Sequence, residues 1–250
     1  GRGRLSTTPA TLWAFNHAIT YVPDFDLWID GTHEFSGSNH LPHRDQGAMA
    51  LIVDLQGRGE LTTTPILPAN ANGWRTRAEA KTEPSGNVRI EVEERVSGQG
   101  AESIRRSFQE ASERTNRLEK LLSRSHPGVR VEHFEIDHLE DLEAEPVLRF
   151  RAVMPGVMEL DGDRASLPLV TYRSRLTERL APGSERTHDV VLDYPWREES
   201  ETRVRLPDGF RIESLPDDFA LVGRHGGAEI TTTVNGRELT VRTQLEITVR

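Results

Sequence analysis

The sequence predicts a mainly β fold of the α+β class, on three observations. Val88, Ile90 and Val92 alternate strictly with polar residues, Asn235-Gly236 separates two strand-like runs, and the period switches once, at Ile104, Phe108, Ala111, Thr115, Leu118 and Leu122. Alternation at period two gives strands with one solvated face. Spacing by fours and threes gives one amphipathic helix, over about residues 101–124.

At the start of the chain, Trp13 to Val22 and Leu27 to Thr32 are rich in aromatic and β-branched residues, and Pro23-Asp24-Phe25-Asp26 between them is turn chemistry. This predicts a β-hairpin. With a four-residue loop, Val22 pairs with Leu27, Ile19 faces Asp30 and His17 faces Thr32. His17 and Asp30 then become diagonal neighbours on one face, roughly 7 Å apart at Cα, close enough for an imidazole–carboxylate hydrogen bond. A one-residue slip would send them to opposite faces. A carboxylate that accepts the proton of one ring nitrogen leaves the other nitrogen free to deprotonate a thiol or hydroxyl. Two structural readings stand beside this one: a hydrogen-bonded histidine in a half-buried strand, and an Asp30-Gly31 turn in which the aspartate bonds its own following backbone.

Phe15-Asn16-His17, Leu27-Trp28-Ile29-Asp30-Gly31-Thr32 and Glu34-Phe35-Ser36-Gly37 resemble, in order and spacing, the end of a bacterial transglutaminase-like domain of papain-like fold. The close likeness covers about residues 13–65. It implies that His17 corresponds to the catalytic histidine and Asp30 to the orienting aspartate of a cysteine enzyme. In such domains the nucleophile lies many residues before the histidine, in a Gly-Asp-Cys-Lys-like stretch on a helix, whereas this chain contains no cysteine at all. The resemblance therefore implies that residues 1–65 are the C-terminal portion of a transglutaminase-like core and residues 66–250 the β-rich domain of unknown function that follows it. The longer parent would hydrolyse amides or transfer acyl groups to amines on a protein or peptide substrate, in the periplasm or cell envelope, and this chain alone would be inactive. The alternative is a non-catalytic binding or assembly module of a cell-envelope protein. No cofactor is expected under either.

Downstream, His33, His40 and His43, with Glu34 and Asp45, are residue types that zinc accepts. Their His-x₆-His-x₂-His spacing in a Gly/Ser/Asn-rich loop matches neither a knuckle nor a helical His-x-x-x-His pair, so no metal site is expected.

Gly57-Arg58-Gly59 and Thr62 to Gly73 read as a linker. The amphipathic helix follows, stopped by Ser125-His126-Pro127-Gly128. Candidate strands then run over Val129–Ile136, Val147–Met154, Leu167–Leu180, Thr187–Leu192 and Ser200–Leu206. A turn at Pro207-Asp208-Gly209 and a type I′ hairpin on Asn235-Gly236 complete the chain. Strands at this spacing predict an antiparallel β-sandwich-like or barrel-like unit with one helix packed on it. The acidic stretch Asp137 to Glu145 lacks the glycine of a calcium loop and reads as a solvated face.

Composition limits the function further. A net charge of −9, with acids and arginines interleaved as in Arg89 to Arg95, argues against a nucleic-acid partner. No apolar run approaches the roughly 20 residues of a membrane span. The first residue is glycine rather than Met, which together with the missing nucleophile reads as a piece of a longer protein.

Overall fold

The structure, a computed structural model, describes residues 12–168, 183, 185, 187, 190 and 192–248. Two short hairpins come first. β1 (Thr20–Val22) pairs with β2 (Leu27–Ile29), and β3 (Met49–Val53) pairs with β4 (Gly59–Thr63). The chain then builds a long hairpin from β5 (Gly73–Thr82) and β6 (Val88–Val96), crosses through two helices, and returns as β7 (Arg130–Asp137) and β8 (Val147–Met154). A small hairpin of β9 (Glu159–Asp161) and β10 (Arg164–Ser166) precedes β11 (Trp196–Arg205), β12 (Phe219–Gly223), β13 (Gly226–Asn235) and β14 (Glu238–Ile247).

The protein is mainly β, as its sequence predicts. Among the described residues, eight strands join in one sheet, in the order β12-β13-β14-β11-β5-β6-β8-β7. This large sheet is covered by helices, and one of its pairs, β5 with β11, is parallel rather than antiparallel. More than a hundred residues separate these two strands, so the chain has room for the crossover that a parallel pair requires.

Period-two patterning explains which face is buried. Val88, Ile90, Val92 and Val96 on β6 point inward with Ala78, Ala80, Leu148, Ala152, Val204 and Val241. The alternate residues carry charge to water, where Arg149 bonds Glu93 and Arg89 bonds Glu83. Such exposed pairs contribute little each, about 0–1 kcal/mol.

The single helix expected over 101–124 is two: α1 (Gln99–Ser107) and α2 (Arg114–Leu122). Phe108 leaves helical geometry at φ −117° and ψ 26°, and the carbonyls this frees accept hydrogen bonds from arginines. Arg114 Nε donates to Phe108 O at 2.6 Å, and the Arg117 guanidinium donates to Ser107 O. The break lets Ile104 and Phe108 on one side, and Leu118 on the other, all reach the sheet. Phe108 meets Phe134 edge-on, with ring centroids 5.4 Å apart.

Two turn predictions are refined. Asn235 pairs with Glu238, so the loop residues of the last hairpin are Gly236 and Arg237. Positive φ occurs only at Gly236 (61°), the pattern of a type II′ turn rather than the expected type I′. The strand expected from Trp13 is regular only from Thr20, after a 3₁₀ turn at Leu12–Ala14. The candidate strand at 167–180 lies outside the described residues but for Leu167 and Pro168, and of that at 187–192 only Thr187, Val190 and Leu192 are described, none of them in a strand.

Asn72 ties the start of the sheet to α1. Its buried side chain donates to Pro195 O at 2.8 Å and accepts the Gln99 N–H at 3.1 Å. Gly98 beside it has φ 61°, and a Cβ there would lie 2.3 Å from Ala71 O, so only glycine fits.

Candidate active site

The hairpin forms in the predicted register: Val22 pairs with Leu27 and Thr20 with Ile29. Pro23 starts the connecting turn and Asp26 ends it in the left-handed region at φ 48°, with the Tyr21 hydroxyl donating to Asp26 Oδ1 at 2.9 Å. Tyr21 also packs on Trp28 across the strands, 4.5 Å between centroids. These contacts fix the register that brings His17 and Asp30 to the same side.

His17 Nε2 lies 3.0 Å from Asp30 Oδ2. The Asp30 side chain is fully buried, while that of His17 keeps 40% of its exposure. Thr32 occupies the other carboxylate oxygen, its N–H and its hydroxyl donating to Oδ1 at 2.9 and 2.8 Å. Burial works to raise the Asp30 carboxyl, but the Thr32 N–H and hydroxyl, His17 and Asp45 outweigh it and hold the group at about 2. Asp30 is therefore ionised and can only accept, so the hydrogen bond requires the proton on His17 Nε2. Nδ1 of the neutral imidazole is then the basic nitrogen.

Two residues join this pair. His33 Nε2 approaches the same Asp30 oxygen at 3.5 Å, and its Nδ1 faces Glu102 Oε1 on α1 at 3.6 Å. Asp45 faces Asp30 from the loop beyond. Burial, and then the hydrogen bond and charge of the Asp30 carboxylate, raise Asp45, against the opposing influence of His17 and His33. Asp45 Oδ2 is buried and makes no hydrogen bond among the described residues. The two carboxyl groups thus shift in opposite directions, Asp30 down and Asp45 up.

The loop that delivers Asp45 is held from below. Gln46, with no exposed surface, donates to Leu41 O at 2.6 Å and accepts the Leu67 N–H at 2.9 Å. Arg105 of α1, itself buried, donates to Phe35 O, Asp141 O and Ala144 O at 3.2, 2.8 and 2.6 Å. Glu102 pairs with Arg106 and accepts from the Ser36 hydroxyl at 3.4 Å.

The loop histidines separate. His33 joins the Asp30 cluster, whereas His40 and His43 both bond the Gln99 side chain at the start of α1. A group of possible metal ligands does exist, but it is His17, Asp30 and Asp45, whose ligand atoms lie within 4.8 Å of one another. Asp45 and His33 entered the sequence reading only as zinc-type residues, and Glu102 did not enter it. No local spacing connects residues 13, 28 and 72 positions apart from Asp30 or His17 in this way; the loop path does.

Residues 163–250 match the family Domain of Unknown Function with solved-structure structure (DUF3858). No curated protein and no solved structure matches the chain. The described part of the matched segment contributes β11 to β14 to the large sheet.

Proposed function

We propose that this chain carries the base and the orienting carboxylate of a transglutaminase-like cysteine enzyme whose nucleophile lies outside these 250 residues. One observation carries the reading: His17 Nε2 is 3.0 Å from a fully buried carboxylate oxygen of Asp30, whose other oxygen is already taken by Thr32. An imidazole held this way presents Nδ1 to an incoming group, which is the role of the histidine in a Cys-His-Asp arrangement.

The chemistry divides into two half-reactions. A cysteine thiol gives its proton to His17 Nδ1, and the thiolate attacks an amide carbonyl. His17 returns that proton to the leaving amine as the C–N bond breaks, leaving a thioester. Water or a second amine then gives a proton to His17 and attacks the thioester, and the thiol is regenerated. Asp30 stays ionised throughout and stabilises the imidazolium. The substrate class is an amide of a protein or peptide, and the cell envelope is the compartment that the sequence resemblance suggests.

A longer polypeptide that carries the cysteine should release amine from a glutamine-containing peptide, and His17→Ala should lower the rate at least about a hundredfold, within the range for loss of a general base. Equal rates for the two would reject the proposal. A non-catalytic binding module is the second reading, favoured by the Asx turn from Asp30 Oδ1 to the Thr32 N–H, which gives Asp30 a purely structural task.

A further inference from the structure

A polar row crosses the buried face of the large sheet. Glu94 on β6, Thr76 on β5, Ser200 on β11 and Thr243 on β14 are successive cross-strand partners, so their side chains stand in line on the same face as Val92, Ala78 and Val241. The row is bonded within itself. Thr76 Oγ1 donates to Glu94 Oε2 at 3.2 Å, and the Ser200 and Thr243 hydroxyls lie 2.7 Å apart.

The neighbouring row adds a second acid and aromatic rings. Glu198 on β11 pairs with Trp74 on β5, and the Trp196 indole N–H donates to Glu198 Oε1 at 3.0 Å. Glu94 and Glu198 therefore flank β5 from its two sides, with Thr76 and Trp74 on the strand between them. Above them lies a cavity of about 490 Å³ between the sheet and the helices, walled by Phe150, Leu118 and Leu122. That volume falls within the roughly 300–1,000 Å³ of small-molecule sites.

A carboxyl in this position is costly without a cation. Glu94 is 8% exposed, and among the described residues its hydrogen-bond partner is one neutral hydroxyl. Burial, less a smaller opposing effect of the Thr76 hydroxyl, and the charge of Glu198 push it up to about 7. A core built only for packing would carry an apolar residue here. A buried acid beside the Trp74 indole, under an apolar roof, instead matches the needs of an ammonium group with a hydrocarbon body: charge pairing, the electron-rich ring face and a dry wall.

We propose that this cavity binds a small organic amine, its ammonium head held by Glu94 beside Trp74 and its aliphatic or aromatic body lodged against Phe150 and Leu118. This site is separate from the His17–Asp30 pair and is independent of the enzymatic reading.

Titration calorimetry of the whole chain at pH 8 with n-octylamine, n-octanol and n-octanoate tests it. Octylamine should bind saturably, octanol at least tenfold more weakly, and octanoate not at all. Glu94→Gln, which keeps the shape and the Thr76 hydrogen bond, should weaken octylamine at least tenfold, while Glu79→Gln on the opposite face should change nothing. Equal binding of octanol and octylamine, an unchanged affinity in Glu94→Gln, an equal loss in Glu79→Gln, or no saturable binding of octylamine would each overturn the proposal.

Discussion

Asp30 and Asp45 face one another with opposite protonation behaviour, one carboxyl held at about 2 and the other pushed up, and His17 sits on the ionised one. The asymmetry comes from partners. Asp30 receives two bonds from Thr32 and one from His17, whereas Asp45 Oδ2 receives none among the described residues. A base that must keep its proton on Nε2 needs this kind of fixed acceptor.

Asp30→Asn should cost about 1–3 kcal/mol at neutral pH, because a buried charged acceptor with two accepting oxygens is replaced by an amide that has one, its NH2 facing donors. The pH dependence has a definite sign. The folded Asp30 carboxyl lies below its ordinary value, so its contribution is complete above about pH 4 and is lost as pH falls toward about 2. Denaturant titrations between pH 2 and 5 should show a shallower slope in Asp30→Asn than in the parent.

Glu94 has the opposite sign. Its folded value of about 7 lies above the ordinary carboxylate range, so the folded protein gains from the protonated form and loses stability as pH rises from about 4.5 through 7. Glu94→Gln should flatten that decline and be the more stable protein at pH 8, by about 1–3 kcal/mol. A parent chain whose melting temperature stays level from pH 5 to 8 would contradict this.

Zinc tests the meaning of the His17, Asp30 and Asp45 group. The hydrogen bond commits His17 Nε2 and Asp30 Oδ2 to one another, so zinc must compete with it, and at micromolar concentration it should leave the melting temperature unchanged. A rise of several degrees that His17→Ala removes would make the cluster a metal site.

Phe108 anchors the interrupted helix pair. It is 2% exposed against Ile104, Leu118 and the Phe134 ring, so Phe108→Ala should cost about 3–5 kcal/mol in chemical denaturation.

Much of this was readable in the sequence, for local reasons. Pro23 and Asp26 fix a four-residue loop, and that alone sets which residue opposes Asp30. Val88, Ile90 and Val92 declare β6 through period two. The break between α1 and α2 is hidden because Ile104, Phe108, Leu118 and Leu122 keep their helical phase across it; arginine caps from later in the chain create the break. The type II′ turn hides because Asn-Gly is favourable one residue earlier in the hairpin. Asp45 and Glu102 reach the site through a loop shaped by Gln46 and Arg105, long-range contacts that no short pattern encodes. The parallel pairing of β5 and β11 is equally non-local.

The most direct test of the central claim is the alkylation rate of the cysteine in a longer polypeptide that supplies it, measured against pH with iodoacetamide. If His17 is the base held by Asp30, the thiol reacts rapidly near neutrality, and His17→Ala slows it at least tenfold and moves its pH profile toward that of an ordinary thiol. A rate and profile indifferent to His17 would contradict the account.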